Sequence, residues 1–282
     1  MSSFKEIKKR INSIKSTRKT TSAMKMVSSS KLRKAENKLS NIIQYSEALR
    51  HIMESLPTSD YTSPFCVERP IKNVALIAFS SDSSLCGAFN SNISRELQKT
   101  YKKYKKMPGI EDVFVYIVGK KVFDSIRKTG ILITKNFENL AATPDYKTVS
   151  GFAATIISQF KKKQIDRVDL IYHHFKNAGI QELMNAPLLP LTLPKQQKET
   201  DYIIEPSREE VLKALLPDII QTKIYATLLD SNTSEHAARM IAMQTATDNA
   251  DDLVSELTIE YNKTRQQAIT NELLDLIGGN SQ

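Results

Sequence analysis

The sequence has no tryptophan, only two cysteines (Cys66 and Cys86) and only eight glycines in 282 residues. Neither cysteine has a second Cys or a His near it in sequence, so metal-ligand spacing is missing and a reducing compartment is the default. Stability must then come from a buried core, for which the chain is long enough. So little glycine favours long helices over a turn-rich β fold. No apolar run is longer than Val74 to Phe79, far short of the roughly 20 residues a membrane-spanning helix needs. Neither G-x-G-x-x-G nor G-x-x-x-x-G-K-[ST] occurs, which weakens a nucleotide-binding reading. A nucleophilic Cys86 would need a histidine partner, and His51, His173, His174 and His236 stand in no such motif. Adjacent residues of a strand face opposite ways, so His173 and His174 are poorly placed to share a metal. No catalytic residue, cofactor or metal site is expected.

Charge is present in quantity but unevenly. The chain carries a net charge of +9, and residues 1–38 alone carry +10, with twelve Lys and Arg against Glu6 and Glu36. This segment is Ser-rich and nearly free of acid, as mitochondrial transit peptides are. Lys outnumbers Arg in it, however, no processing site is evident, and its hydrophobic pattern continues past residue 38.

That pattern is a heptad seam. Steps of three and four from Phe4 reach Ile7, Ile11, Ile14, then Leu32, Ala35, Leu39, Ile42, Leu49, Met53 and Leu56, with eleven of the sixteen positions apolar. Pro57 is the first proline and Gly87 the first glycine, so one helix of about 50 residues, roughly 80 Å long, is expected. Arg18, Thr21, Lys25 and Ser28 interrupt the seam where Met24, Met26 and Val27 put apolar residues on a neighbouring face, which suggests a change of partner. The other end is similar, with 60 residues between Pro217 and Gly278 free of both breakers. Within them Ala238, Ala242, Ala246, Ala250, Leu253 and Leu257 form a stripe that lets another helix approach. The simplest arrangement pairs the two terminal helices antiparallel.

Between them the period changes to that of a small α/β domain. Asn73–Phe79, Asp112–Val118, Gly130–Thr134 and Arg167–Tyr172 are short β-branched and aromatic runs. They are separated mostly by helical segments, Ala88–Lys106, Lys120–Lys128 and Val149–Lys163. Such alternation predicts a Rossmann-like domain with a mostly parallel sheet, because parallel strands need crossovers. Gln181–Leu191 and Asp201–Ile204 add extended segments around the polar loop Lys195–Thr200, and Ser207 with Glu210 forms a capping box. The expected organisation is an N-terminal coiled-coil helix over 1–57, an α/β domain over 70–206 and a C-terminal coiled-coil helix over 207–282. A ligand would be sought after the first strand, at Ser80 to Gly87, where a structural strand-to-helix turn is the simpler reading.

The motifs resemble those of one family, the γ subunits, or central rotor shafts, of F-type ATP synthases. They are the opening Ile7 to Thr17, Thr20 to Val27, Lys31 to Ala35, Ser234 to Met243 with Ala246 to Ala250, and above all Tyr261 to Leu273 with Gly278-Gly279. One departure is Ser83-Ser84, where the family usually has Arg-Gly, so the role of that arginine does not carry over. The resemblance implies a non-catalytic rotor whose coiled coil enters the α/β subunit hexamer of the F1 sector. Its body would sit with the ε subunit on the c-ring, coupling proton or sodium flow to ATP synthesis or hydrolysis. It further implies that Met24, Lys25, Arg265, Gln266, Thr270 and Glu272 meet the hexamer, and that Tyr202 and Glu205 form the foot on the c-ring. The expected location is peripheral, on the cytoplasmic face of a bacterial plasma membrane, with no nucleic acid and no small-molecule ligand. The competing reading is a basic coiled-coil protein that grips nucleic acid through phosphates; an enzyme with a Rossmann-type site is third.

Overall fold

The computed structural model describes residues 4–55, 63–192, 204–205 and 207–279. Its elements run α1 (Phe4–Ser55), β1 (Asn73–Phe79), α2 (Phe89–Lys106), β2 (Asp112–Val118) and α3 (Lys120–Ile126), then a short 3-10 turn. There follow β3 (Lys135–Phe137), α4 (Tyr146–Lys161), β4 (Arg167–Asn177), β5 (Ile180–Leu189) and α5 (Arg208–Gly279). The chain divides into two compact units, residues 30–238 and residues 1–29 with 239–282. Both α1 and α5 contribute to each unit.

The larger unit is built on a five-stranded sheet of order β3-β2-β1-β4-β5. The first four strands are parallel, and β5 returns antiparallel along β4. Strand periodicity sorts the central strand between two cores. Val74, Leu76 and Ala78 pack with Phe89, Ile93 and Leu97 of α2 and with Val122 and Ile126 of α3. Ala75, Ile77 and Phe79 face the other way, toward Phe152, Ile156 and Phe160 of α4 and Leu216, Ile220 and Leu228 of α5. Both faces of β1 are therefore covered, which explains why its sequence is apolar throughout rather than alternating.

Helix ends follow local chemistry. Asp145 caps α4 by accepting from the Thr148 hydroxyl at 2.7 Å and the Thr148 amide at 2.9 Å, and these bonds hold its carboxyl below the usual carboxylate range. The Glu210 amide donates to Ser207 Oγ at 3.3 Å, the half of the capping box expected at the start of α5.

Two sequence expectations need correction. The strand expected over Gly130–Thr134 is a loop, and the edge strand lies just beyond it at Lys135–Phe137. Ile131 and Ile133 pack on the core while Leu132 is 81% exposed, so their alternation reflects a loop crossing the surface. The last helix starts where the Ser207 capping box placed it, and Pro217, which bounds the breaker-free stretch, lies inside it. Proline in a helix interior costs about 3 kcal/mol, and the buried side chains of Leu212, Leu216, Ile220 and Ile224 around it supply compensating contacts. The seam of α1 also continues inward through Thr21 and Ser28, both buried, while Met26 and Val27 face outward. The loop Lys195–Thr200 and residues 201–203 of the expected extended segment lie outside the described residues.

Candidate partner-binding site on the paired helices

Within the smaller unit, residues 4–29 of α1 and 239–279 of α5 run antiparallel. The Phe4 and Tyr261 rings stack at 4.6 Å, Ile7 and Ile11 cluster with Leu257, and Arg18 Nε meets Asp251 Oδ1 at 2.5 Å. At the next level the hydroxyls of Thr21 and Thr247 lie 2.8 Å apart. Each also reaches a carbonyl of its own helix, Arg18 at 3.0 Å and Met243 at 2.8 Å. Two hydroxyl protons serve three contacts, so only two of these bonds form at once. On α5 the inward positions are Met243, Ala250 and Leu257, all buried, whereas Leu253 of the expected stripe is 43% exposed.

The outer surface of this unit is unusually apolar for a pair of charged helices. Met26 is 69% exposed, Val27 57% and Ile259 71%, and Ile241, Ile269, Leu273 and Leu274 are also exposed. Apolar area of this kind marks an interaction surface. Met24 and Lys25 are half-buried beside Met26, while Arg265, Gln266 and Thr270 are exposed on α5, and Glu272 is on the same helical stretch. Thr270 Oγ1 donates to the Gln266 carbonyl at 2.9 Å. These residues form two levels rather than one patch. Thr247 is level with Thr21, and Arg265 lies roughly 27 Å farther along α5 at 1.5 Å per residue. Of the expected foot residues, Glu205 is exposed and Tyr202 lies outside the described residues.

In the larger unit, the place where an α/β sheet takes a ligand is the carboxyl end of its strands at the switch in strand order, here between β1 and β4. That crevice is filled by the chain itself. Ser231 Oγ donates to the Phe79 carbonyl at 3.3 Å and Ser234 Oγ to the His173 carbonyl at 3.0 Å. Asn232 Nδ2 donates to the Ala141 carbonyl at 2.7 Å. Asp230 accepts from the Phe175 amide and pairs with His174 Nδ1, both at 2.7 Å. Burial pushes the Asp230 carboxyl up, and these partners oppose the shift.

The nearby anion position is taken too. Asp82 accepts from the amides of Lys120 at 3.1 Å, Asn139 at 3.2 Å and Ala142 at 2.9 Å, where a phosphate would sit at the start of α3. Close approach is enforced at Gly119, with φ of 99°, where a Cβ would stand 2.7 Å from the Ser80 carbonyl oxygen. Cys86 is buried, with its sulfur 3.2 Å from Asn90 Nδ2. Neither the filled crevice nor the Asp82 anion position was read from sequence. The only signal for the first was the run of small polar residues Ser231 to Ser234, and for the second a single Asp after a strand.

A closed crevice in an α/β body, with terminal helices that pair and expose apolar side chains, defines a mechanical subunit built around a helical shaft. A family model described as ATP synthase matches residues 3–281. The ATP synthase gamma chain of Bacteroides fragilis is 49% identical over 288 aligned positions, covering 99% of both chains. That of Flavobacterium johnsoniae is 38% identical, covering 99% of this chain and 98% of its own. The chain belongs to the ATP synthase gamma chain family and is a central-stalk rotor subunit, itself non-catalytic. Solved structures share the fold. A chain in the Euglena gracilis mitochondrial ATP synthase (OSCP/F1/c-ring) aligns with a TM-score of 0.69 at 20% identity, covering 99% of this chain and 93% of its own. One in the Tetrahymena thermophila central stalk and c-ring gives 0.61 at 24% identity, covering 80% and 99%.

Proposed function

We propose that this chain couples ion flow through a c-ring to ATP synthesis or hydrolysis on the catalytic β subunits by turning inside their hexamer with α. The coupling ion is a proton or sodium. The observation that carries the reading is the exposure of apolar side chains on both paired helices, Met26 and Val27 on the lysine- and arginine-rich α1 and Ile259 on α5. Such a surface slides against a partner without a fixed polar register, and its asymmetry biases each catalytic site between open and closed states in turn. Two contact levels follow from the antiparallel pairing: Met24 and Lys25 at one, and Arg265, Gln266, Thr270 and Glu272 at the other. Tyr202 and Glu205 meet the c-ring, and the ε subunit binds the body. In domain terms, 1–57 and 207–282 make the coiled coil and 70–206 the body. Among the described residues no helix is long and apolar enough to cross a membrane. The chain attaches peripherally, through its partners, at the cytoplasmic face of a bacterial plasma membrane.

The test is ATP-driven ion pumping measured beside ATP hydrolysis on reconstituted complexes. An exposed charge pair is worth about 0 to 1 kcal/mol, so Lys25→Ala should be mild. Lys25→Glu, which exchanges attraction for repulsion at an acidic partner loop, and Met24→Lys should each lower the pumping-to-hydrolysis ratio. A wild-type ratio in both would show this level to be a passive bearing.

A further inference from the structure

We propose that the amino-end edge of the sheet is a membrane-facing surface that holds anionic phospholipid headgroups, an inference that rests on the rotor reading above. Helices α2 and α4 end immediately before β2 and β4, whose first residues lie beside the start of β1 (Asn73 opposite Asp112, Val74 opposite Arg167). Both helix ends therefore emerge at one edge. There Lys102, Lys103 and Lys106 of α2 and Lys161, Lys162 and Lys163 at the end of α4 are all exposed. None of the six makes an ion pair among the described residues. The acidic groups of this edge are largely committed elsewhere: Asp166 to Arg69, Glu111 to Lys72, Asp112 to Lys105 and Asp169 to Arg167.

Cations in the last turn of a helix ordinarily offset its carbonyl dipole, but that dipole amounts to only about half a charge per helix end. Six lysines at two ends exceed this severalfold. Lys163 also adopts φ of 59° in the turn that ends α4, a left-handed position where glycine is the unstrained choice. On α2, Lys102, Lys103 and Lys106 line an open groove with Arg95 and Lys99.

Lipid fits this surface better than a protein partner. Lysine is depleted at protein interfaces, where aromatic and arginine anchors dominate, whereas clusters of four to eight basic residues are the mark of attraction to anionic lipid. Single apolar side chains flank the cluster, with Val67 and Met107 each 45% exposed and Ile71 36% exposed, suited to the headgroup boundary. Position agrees as well. Leu189, the last residue of β5, pairs with Val168, so the chain leaves the sheet at this same edge on its way to Glu205, the residue assigned to the c-ring foot.

The experiment uses the soluble complex of this chain with its α, β and ε subunits, so that the basic N-terminal helix is enclosed. It is sedimented with vesicles of one part phosphatidylglycerol to two parts phosphatidylcholine, and with phosphatidylcholine alone. The wild-type complex should sediment with the anionic vesicles only, and less so as salt rises. Each lysine near such a surface is worth about a fivefold gain, so combining Lys102→Gln, Lys103→Gln and Lys106→Gln should lower partitioning roughly 100-fold, as should the same change at Lys161, Lys162 and Lys163.

Wild-type partitioning in both variants, equal binding to neutral vesicles, or a wild-type complex left in the supernatant would each overturn the proposal. So would an equal loss by the variants in rebinding lipid-free c-ring in detergent, which would make the surface an acidic-protein contact. ATP hydrolysis and retention of α and β in the same preparations report on the rotor reading separately.

Discussion

His173 should make the larger unit acid-sensitive. Its ring is 3% exposed, stacks on Phe89 at 4.5 Å between centroids, and has a buried Nδ1 with no partner among the described residues. Burial pushes its pKa down from 6.5 to about 4. The folded state therefore holds fewer protons than the unfolded state between these values. The neutral ring contributes stability that is fully present above pH 6.5 and is lost as pH falls toward 4. The loss relative to neutral pH is about 2 kcal/mol at pH 5 and about 3 kcal/mol at pH 4, at 1.36 kcal/mol per pKa unit.

The perturbation is His173→Phe, which keeps a ring against Phe89 and removes the titration. Nine of the ten tyrosines lie in residues 30–238, so tyrosine fluorescence during urea unfolding reports on this unit. Wild type should lose about 2 kcal/mol more than His173→Phe between pH 7 and pH 5. Comparing the change with pH cancels any repacking cost of the larger ring. It also cancels the opposite contribution of Asp230, whose raised pKa favours the fold at low pH in both proteins. Identical pH dependence in the two would refute the assignment of a buried, neutral imidazole.

Two further outcomes test the closed body. Asp82→Ala removes an acceptor shared by three amides and should cost about 2 kcal/mol, at roughly 1 kcal/mol or less per bond, read as a lower urea midpoint at unchanged slope. Gly119→Ala, strained at φ of 99° and blocked by the Ser80 carbonyl, should cost more than about 2 kcal/mol, and an unchanged thermal midpoint would contradict the geometry.

What could be read in advance divides along physical lines. β1 and β2 are bounded in the structure as their apolar runs suggested, because a strand covered on both faces leaves a continuous signal. β3 was misplaced because it is a three-residue edge strand with half-buried residues, and its apolar neighbours Ile131 and Ile133 carry a stronger signal while packing as loop. The start of α5 was legible from the Ser207 and Glu210 capping box, whereas the continuation of the helix through Pro217 depends on the tertiary packing of Leu212 and Leu216 around it. The pairing of the terminal helices followed from the seam, as did the inward Ile7, Ile11, Ala250 and Leu257, but not the inward Thr21 and Thr247, which satisfy each other only once brought together. The crevice filling depends on contacts such as Ser231 to Phe79, 152 residues apart, which no local pattern reveals.

The central claim is that this chain turns. Leu132 is 81% exposed on the body, so Leu132→Cys, with Cys66→Ser to silence the half-buried native thiol, provides a handle for a fluorescent bead. With the α and β subunits fixed to a surface, the bead should rotate in one direction when ATP is added and stop when ATP is exhausted. ATP hydrolysis by the same labelled complexes with a stationary bead would contradict the account.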